Sequence, residues 1–244
     1  MASETGIENT IANYFVVITR CGEFGTNYDP VREEIKIVNM TTQYNGAVSV
    51  QNNYIASLEI TKVAINSREV LFEQMREIAV RSFYVFKSSK AGKNAKKDAR
   101  GYLNKITGKS KKIKLLDNGL PDPKNVSQSQ QGYDNKVKNF FSMVTLFEKD
   151  GNYATNETVL KLATMYTQIT ELENANKNVV LKNADTIEKR QIRNYALFEE
   201  EKGVIDISLF CKNYVKGLYG PSSTEAKSIC SVPLRRYMRI KKAL

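Results

Sequence analysis

The sequence predicts an all-α protein made as a tandem duplication, and three observations lead to that expectation. Glycine (13) and proline (5) are scarce in 244 residues, which leaves few turn formers for a β protein. Apolar residues recur in steps of three and four over long stretches, the period of a helix face. The chain also matches itself at a shift of 125–126 residues. The expected architecture is an elongated bundle of long antiparallel helices with coiled-coil-like seams and no β-sheet.

The self-match is sustained. Asn13-Tyr14-Phe15-Val16-Val17-Ile18-Thr19 lines up with Asn139-Phe140-Phe141-Ser142-Met143-Val144-Thr145. Asn27-Tyr28 then meets Asn152-Tyr153, and Ile35-Lys36-Ile37 meets Leu160-Lys161-Leu162. Met40, Thr42 and Gln43 fall on Met165, Thr167 and Gln168. Leu71-Phe72-Glu73 falls on Leu197-Phe198-Glu199, and Ser82 on Ser208. Between the copies, Asp117 to Pro123 and Ser127 to Gly132 are rich in Pro, Gly, Ser and Gln, a linker composition. The expected division is a first unit at 1–116, a linker at 117–133 and a second unit at 134–244.

The first helix carries the stripe Ile7, Ile11, Tyr14, Phe15, Ile18 and Cys21 and stops near Gly22 and Gly25. Asp29-Pro30 reads as a cap and first turn for the second helix, with Glu33 and Glu34 facing its positive N-terminus. That helix continues from Val31 to Ser89 with Gly46 as its only glycine. In the second copy Thr155 takes the cap position and Glu157 follows it. No glycine or proline interrupts Asn156 to Lys202. The stripe Val159, Leu162, Tyr166, Ile169 and Leu172 fails around Glu173 to Asn178, where a break is expected. Shorter helices, near Asn94–Ile106 and Ser223–Ser231, close the copies.

Thr5-Gly6-Ile7-Glu8-Asn9, the turn Phe24-Gly25-x-x-Tyr28-x-Pro30 and the stretch Ser67-Arg68-Glu69…Phe72-Glu73 resemble an uncharacterised two-copy helical family of Bacteroidetes-type bacteria. The resemblance covers most of the chain and implies the helical fold. It brings no activity.

Composition excludes much chemistry. With no histidine, the commonest general base and the commonest metal ligand are missing, and Ser–His and Cys–His pairs cannot form within the chain. The densest acidic run, Glu199-Glu200-Glu201, reads as a solvated helix face. Gly101 to Ser110 superficially suggests a phosphate-binding loop, but six residues separate its glycines where four are needed, and a helix precedes it where a strand should. No catalytic residue, cofactor, metal or small-molecule substrate is expected. Cys21, Cys211 and Cys230 lack metal-like spacing and read as buried or half-buried apolar side chains in a reducing compartment. The first residues lack a targeting signal, and the longest apolar run, Tyr14 to Ile18, is far short of a span, so a cytoplasmic location is expected.

Charge is the remaining signal. Lys87 to Lys114 carries eleven basic residues against Asp98, and Arg235 to Lys242 carries five against none. The rest of this +11 chain is net acidic. Lys112-Ile113-Lys114 and Arg239-Ile240-Lys241 hold equivalent places at the ends of the two copies. Lys109, Lys111, Lys112, Lys114, Arg235, Arg236, Arg239, Lys241 and Lys242 are thus the candidate polyanion contacts, with Tyr102 and Tyr237 nearby to stack on unpaired bases. The leading expectation is a non-enzymatic scaffold that associates with itself or another protein. Binding of nucleic acid or another polyanion through the basic ends is the alternative.

Overall fold

The computed structural model describes residues 4–108 and 131–238. Among them are seven α-helices and no β-strand. They are α1 (Glu4–Glu23), α2 (Ile37–Ser88), α3 (Lys93–Thr107), α4 (Tyr133–Asp150), α5 (Leu162–Phe198), α6 (Val204–Tyr219) and α7 (Thr224–Cys230). None of the described helices is long and apolar enough to cross a membrane.

The chain divides into two compact units that do not follow the sequence division at 1–116, 117–133 and 134–244. The first joins Met1–Ile60 to Asn183–Leu244, and the second is Thr61–Lys182. The boundaries fall inside α2 and inside α5, so each unit joins residues from 1–116 to residues from 134–244.

In the first unit α1 buries Ile7, Ile11, Tyr14, Val17, Ile18 and Cys21 against Ile205, Ile207, Cys211 and Val215 around α6. Val17 takes the place expected for Phe15, which stays 49% exposed. In the second unit α3 packs on α4, and Phe83, Phe86, Leu103 and Ile106 share a core with Phe140, Met143, Phe147, Met165 and Leu172. Phe147 is pinned from two sides, with its ring 4.6 Å from Phe86 and stacked 4.8 Å from Tyr153.

The long helices start later than Asp29-Pro30 and Thr155 suggest. Each is preceded by a 3-10 turn, Glu33–Ile35 before α2 and Thr158–Leu160 before α5. A buried tyrosine hydroxyl closes each loop: Tyr28 donates to the Ile35 carbonyl and Tyr153 to the Leu160 carbonyl, both at 2.8 Å. The first helical turn then bonds back to the 3-10 turn, through Asn39 Nδ2 to the Glu33 carbonyl (2.7 Å) and Thr164 Oγ1 to the Thr158 carbonyl (2.8 Å). These bonds satisfy groups at the turn and fix the helix entry. Thr155 acts one step earlier, accepting the Glu157 N–H at 3.2 Å.

The break expected at Glu173 to Asn178 does not occur. Leu172, Asn176 and Val179 continue the buried face there, and Asn176 Nδ2 donates to Asp134 Oδ1 at 2.7 Å. The helix ends instead at Phe198, and α6 begins after Gly203. Glu201 adopts a left-handed φ of 65° in this turn, and its N–H is held by Asp206 Oδ2 at 2.9 Å. A Cβ on Gly203 would meet the Glu199 backbone nitrogen at 2.7 Å, so the return is too tight for a side chain.

Burial raises the pKa of the tyrosines that close the loops. Tyr153 is pushed up to about 12, and Tyr28 and Tyr14 move in the same direction. An unfolded tyrosine ionises near pH 10, so the unfolded chain loses these protons first. Stability held below that pH is therefore expected to fall as pH rises from about 10 to about 12. Thermal melts followed by circular dichroism at pH 9 and pH 11 check this, with the lower midpoint expected at pH 11.

Candidate functional site

The structure separates the basic residues into distinct roles. Lys109, Lys111, Lys112, Lys114, Arg239, Lys241 and Lys242 lie outside the described residues. Arg236 is engaged: its guanidinium pairs with the Asp206 carboxylate, and the two side chains are only 21% and 13% exposed. It thus braces the carboxylate that also holds the Glu201 N–H. That is a structural task which the sequence pattern of five cations does not show.

Arg235 is exposed and lines a polar groove of about 440 Å³ with Tyr237, Asn9 and Asn13. Asn13 Nδ2 donates to the Pro233 carbonyl at 2.7 Å, tying the coil after α7 to α1. The Tyr237 ring stands edge-on to Phe198, with centroids 6.1 Å apart, and remains 39% exposed. One candidate cation and one candidate stacking ring therefore share a surface. Tyr102, the other ring, is half-buried with the Lys105 ammonium 5.8 Å from its centroid.

The second unit holds a larger concavity, about 610 Å³, between the latter part of α2 and the first part of α5. Arg68 lies flat on the Tyr133 ring, its guanidinium carbon 3.8 Å from the centroid. Asp134, Glu173 and Lys177 supply charge of both signs, while Val180 and Leu181 supply apolar surface. Val180 and Leu181 are each 67% exposed. On α2 Val63 and Val70 are also exposed, and their spacing of seven residues puts them on one helix face.

This concavity depends on contacts remote in sequence, so no local motif announces it. Thr61 Oγ1 donates to the Lys182 carbonyl at 3.0 Å, setting α2 beside α5 in this unit. In the first unit Thr186 Oγ1 makes the corresponding bond to the Ser57 carbonyl at 3.1 Å. Among the described residues no group of three or more Cys, Asp or Glu side chains is arranged to hold a metal ion. Fold and site together define an all-helical protein of two compact units with an open, mixed-charge and apolar concavity. Comparison with known proteins returns no match to a family model, a curated protein or a solved structure.

Proposed function

We propose that the protein is a non-enzymatic helical scaffold that associates with a second copy of itself or another protein through the α2 and α5 surfaces. The exposed apolar residues Val180 and Leu181, at the rim of the second unit's concavity, carry this proposal. Large apolar side chains grouped beside a concave, mixed-charge surface are what a partner helix or loop covers. The absence of histidine from the chain is in keeping with a binding role. The proposed setting is cytoplasmic.

A tandem duplication belongs to the same proposal. It is supported by paired features within the 125–126 shift: the Tyr28 and Tyr153 bonds, the Thr61 and Thr186 bonds, and the left-handed glycines Gly25 and Gly151. Each pair places the same chemistry at 125 or 126 residues' separation.

Sedimentation equilibrium on the full chain tests the association. Self-association is expected, with a double Val180→Lys, Leu181→Lys variant shifted toward monomer and its circular dichroism unchanged. A wild-type protein that stays monomeric and captures no partner through this surface counts against it.

The groove that brings Arg235 beside Tyr237 favours a second reading, contact with nucleic acid or another polyanion. Nucleic acid would then co-purify, raising the absorbance ratio at 260 and 280 nm, and retention would weaken with salt. Charge reversal at Arg235 would reduce it further.

A further inference from the structure

Two cysteines far apart in sequence meet inside the core of the first unit. Cys21 on α1 and Cys211 on α6 are separated by 190 residues, yet their sulfurs lie 2.9 Å apart as free thiols. Both are fully buried. The Tyr28 hydroxyl is 3.1 Å from Cys211 Sγ and donates to the Ile35 carbonyl, which anchors the loop beside the pair.

The corresponding place in the second unit holds no sulfur. Within the 125–126 shift of the self-match, Phe147 lies 126 residues after Cys21 and Phe86 lies 125 residues before Cys211. Those rings pack with centroids 4.6 Å apart. Hydrocarbon therefore fills this position in one unit, and packing alone does not call for two thiols in the other.

We infer that Cys21 and Cys211 are a modification site, a thiol pair that hydrogen peroxide converts to an intrachain disulfide joining α1 to α6. A disulfide holds its sulfurs about 2.05 Å apart, so the thiols approach by less than about 1 Å. Cys211 is the attacking group: the hydrogen bond shared with Cys21 holds it below the usual thiol range, while that bond and burial push Cys21 up. The nearby Lys212 ammonium acts in the same direction on Cys211.

The Cys211 thiolate attacks one peroxide oxygen, the O–O bond breaks, and hydroxide leaves and takes up a proton as water. The sulfenic acid on Cys211 is then attacked by the Cys21 sulfur. The S–S bond forms, the S–O bond breaks, and a second water leaves with the Cys21 proton. Two thiols lose two electrons, and one peroxide is reduced to two waters. Because both sulfurs are buried, the rate follows local opening of α1 from α6. The bond ties the Met1–Ile60 piece of the first unit to its Asn183–Leu244 piece. It also closes a long loop that constrains the unfolded chain.

Cys230 is only partly buried and provides the internal comparison. The full-length protein is treated with hydrogen peroxide, its remaining thiols are alkylated under denaturing conditions, and it is mapped by mass spectrometry without reduction. Free thiols are expected to fall from three to one, with a Cys21–Cys211 peptide pair that dithiothreitol removes. A Cys230→Ala chain should give the same pair and no free thiol. The unfolding midpoint of the oxidised wild type should rise and return on reduction. Oxidation confined to Cys230, peptide pairs that contain Cys230, or retention of the Cys21 and Cys211 thiols would each overturn the inference.

Discussion

Replacing Phe147 with alanine is expected to destabilise the second unit by about 3–5 kcal/mol, the range for removing a fully buried aromatic ring. Phe147 has no exposed surface and touches Phe86 on one side and Tyr153 on the other. Losing the ring opens a cavity between α2 and α4 and removes the stacking surface that holds Tyr153 in place to close the loop before α5. Neither neighbour collapses easily, because Phe86 is on a long helix and Tyr153 is bonded to the Leu160 carbonyl. Urea unfolding followed by circular dichroism should show the loss as a lower midpoint with little change in slope. Phe141→Ala, on the same helix but at a 48% exposed position with only an edge contact to Tyr166, should cost clearly less.

Asp206→Ala is expected to cost about 2–3 kcal/mol, because one carboxylate serves two groups. It accepts the Glu201 N–H with one oxygen and the Arg236 guanidinium with the other. Its removal leaves a half-buried cation without a partner and releases the left-handed turn between α5 and α6. Arg236→Ala should cost less, since Asp206 keeps its bond to the turn and solvent screens part of the uncovered charge. Chemical denaturation of both single variants and the double variant measures the coupling. Equal losses from the two single variants would mean that the turn does not depend on Asp206. Arg236→Ala should also leave any retention on nucleic acid nearly unchanged, whereas Arg235→Ala should reduce it.

Helix type and most of the buried stripe on α1 were legible in the sequence because both rest on local period. Ile7, Ile11, Tyr14, Ile18 and Cys21 are buried as their spacing requires. Helix ends were less legible, since they depend on partners far along the chain or on loop geometry. Asp29-Pro30 has the composition of a helix start, but the Tyr28 hydroxyl and a 3-10 turn delay the helix to Ile37. Asn176 looks like part of a break in the apolar stripe, yet a bond to Asp134 draws it into the seam. Glu199 to Lys202 has good helix formers, and the turn there is set by Asp206 and by the space that Gly203 leaves.

The candidate sites were legible only in part. Arg235 and Tyr237 are close in sequence, and the structure keeps them on one groove. The same charge pattern placed Arg236 among the free cations, because nothing local reveals that Asp206, 30 residues away, claims it. The concavity beside Val180 and Leu181 needs α2 and α5 side by side, and the thiol pair needs α1 beside α6. Neither approach leaves a mark in local spacing.

Each compact unit combines residues from 1–116 with residues from 134–244, and two fragments test this division directly. Residues 61–182 and residues 1–116 are produced separately and compared by light scattering and thermal circular dichroism. The expected result is a helical, cooperatively melting monomer from 61–182. The 1–116 fragment, cut off from the α5 and α6 segments that complete the first unit, should be unfolded or paired with a second copy. A stable monomeric 1–116 beside an unfolded 61–182 would contradict the claim.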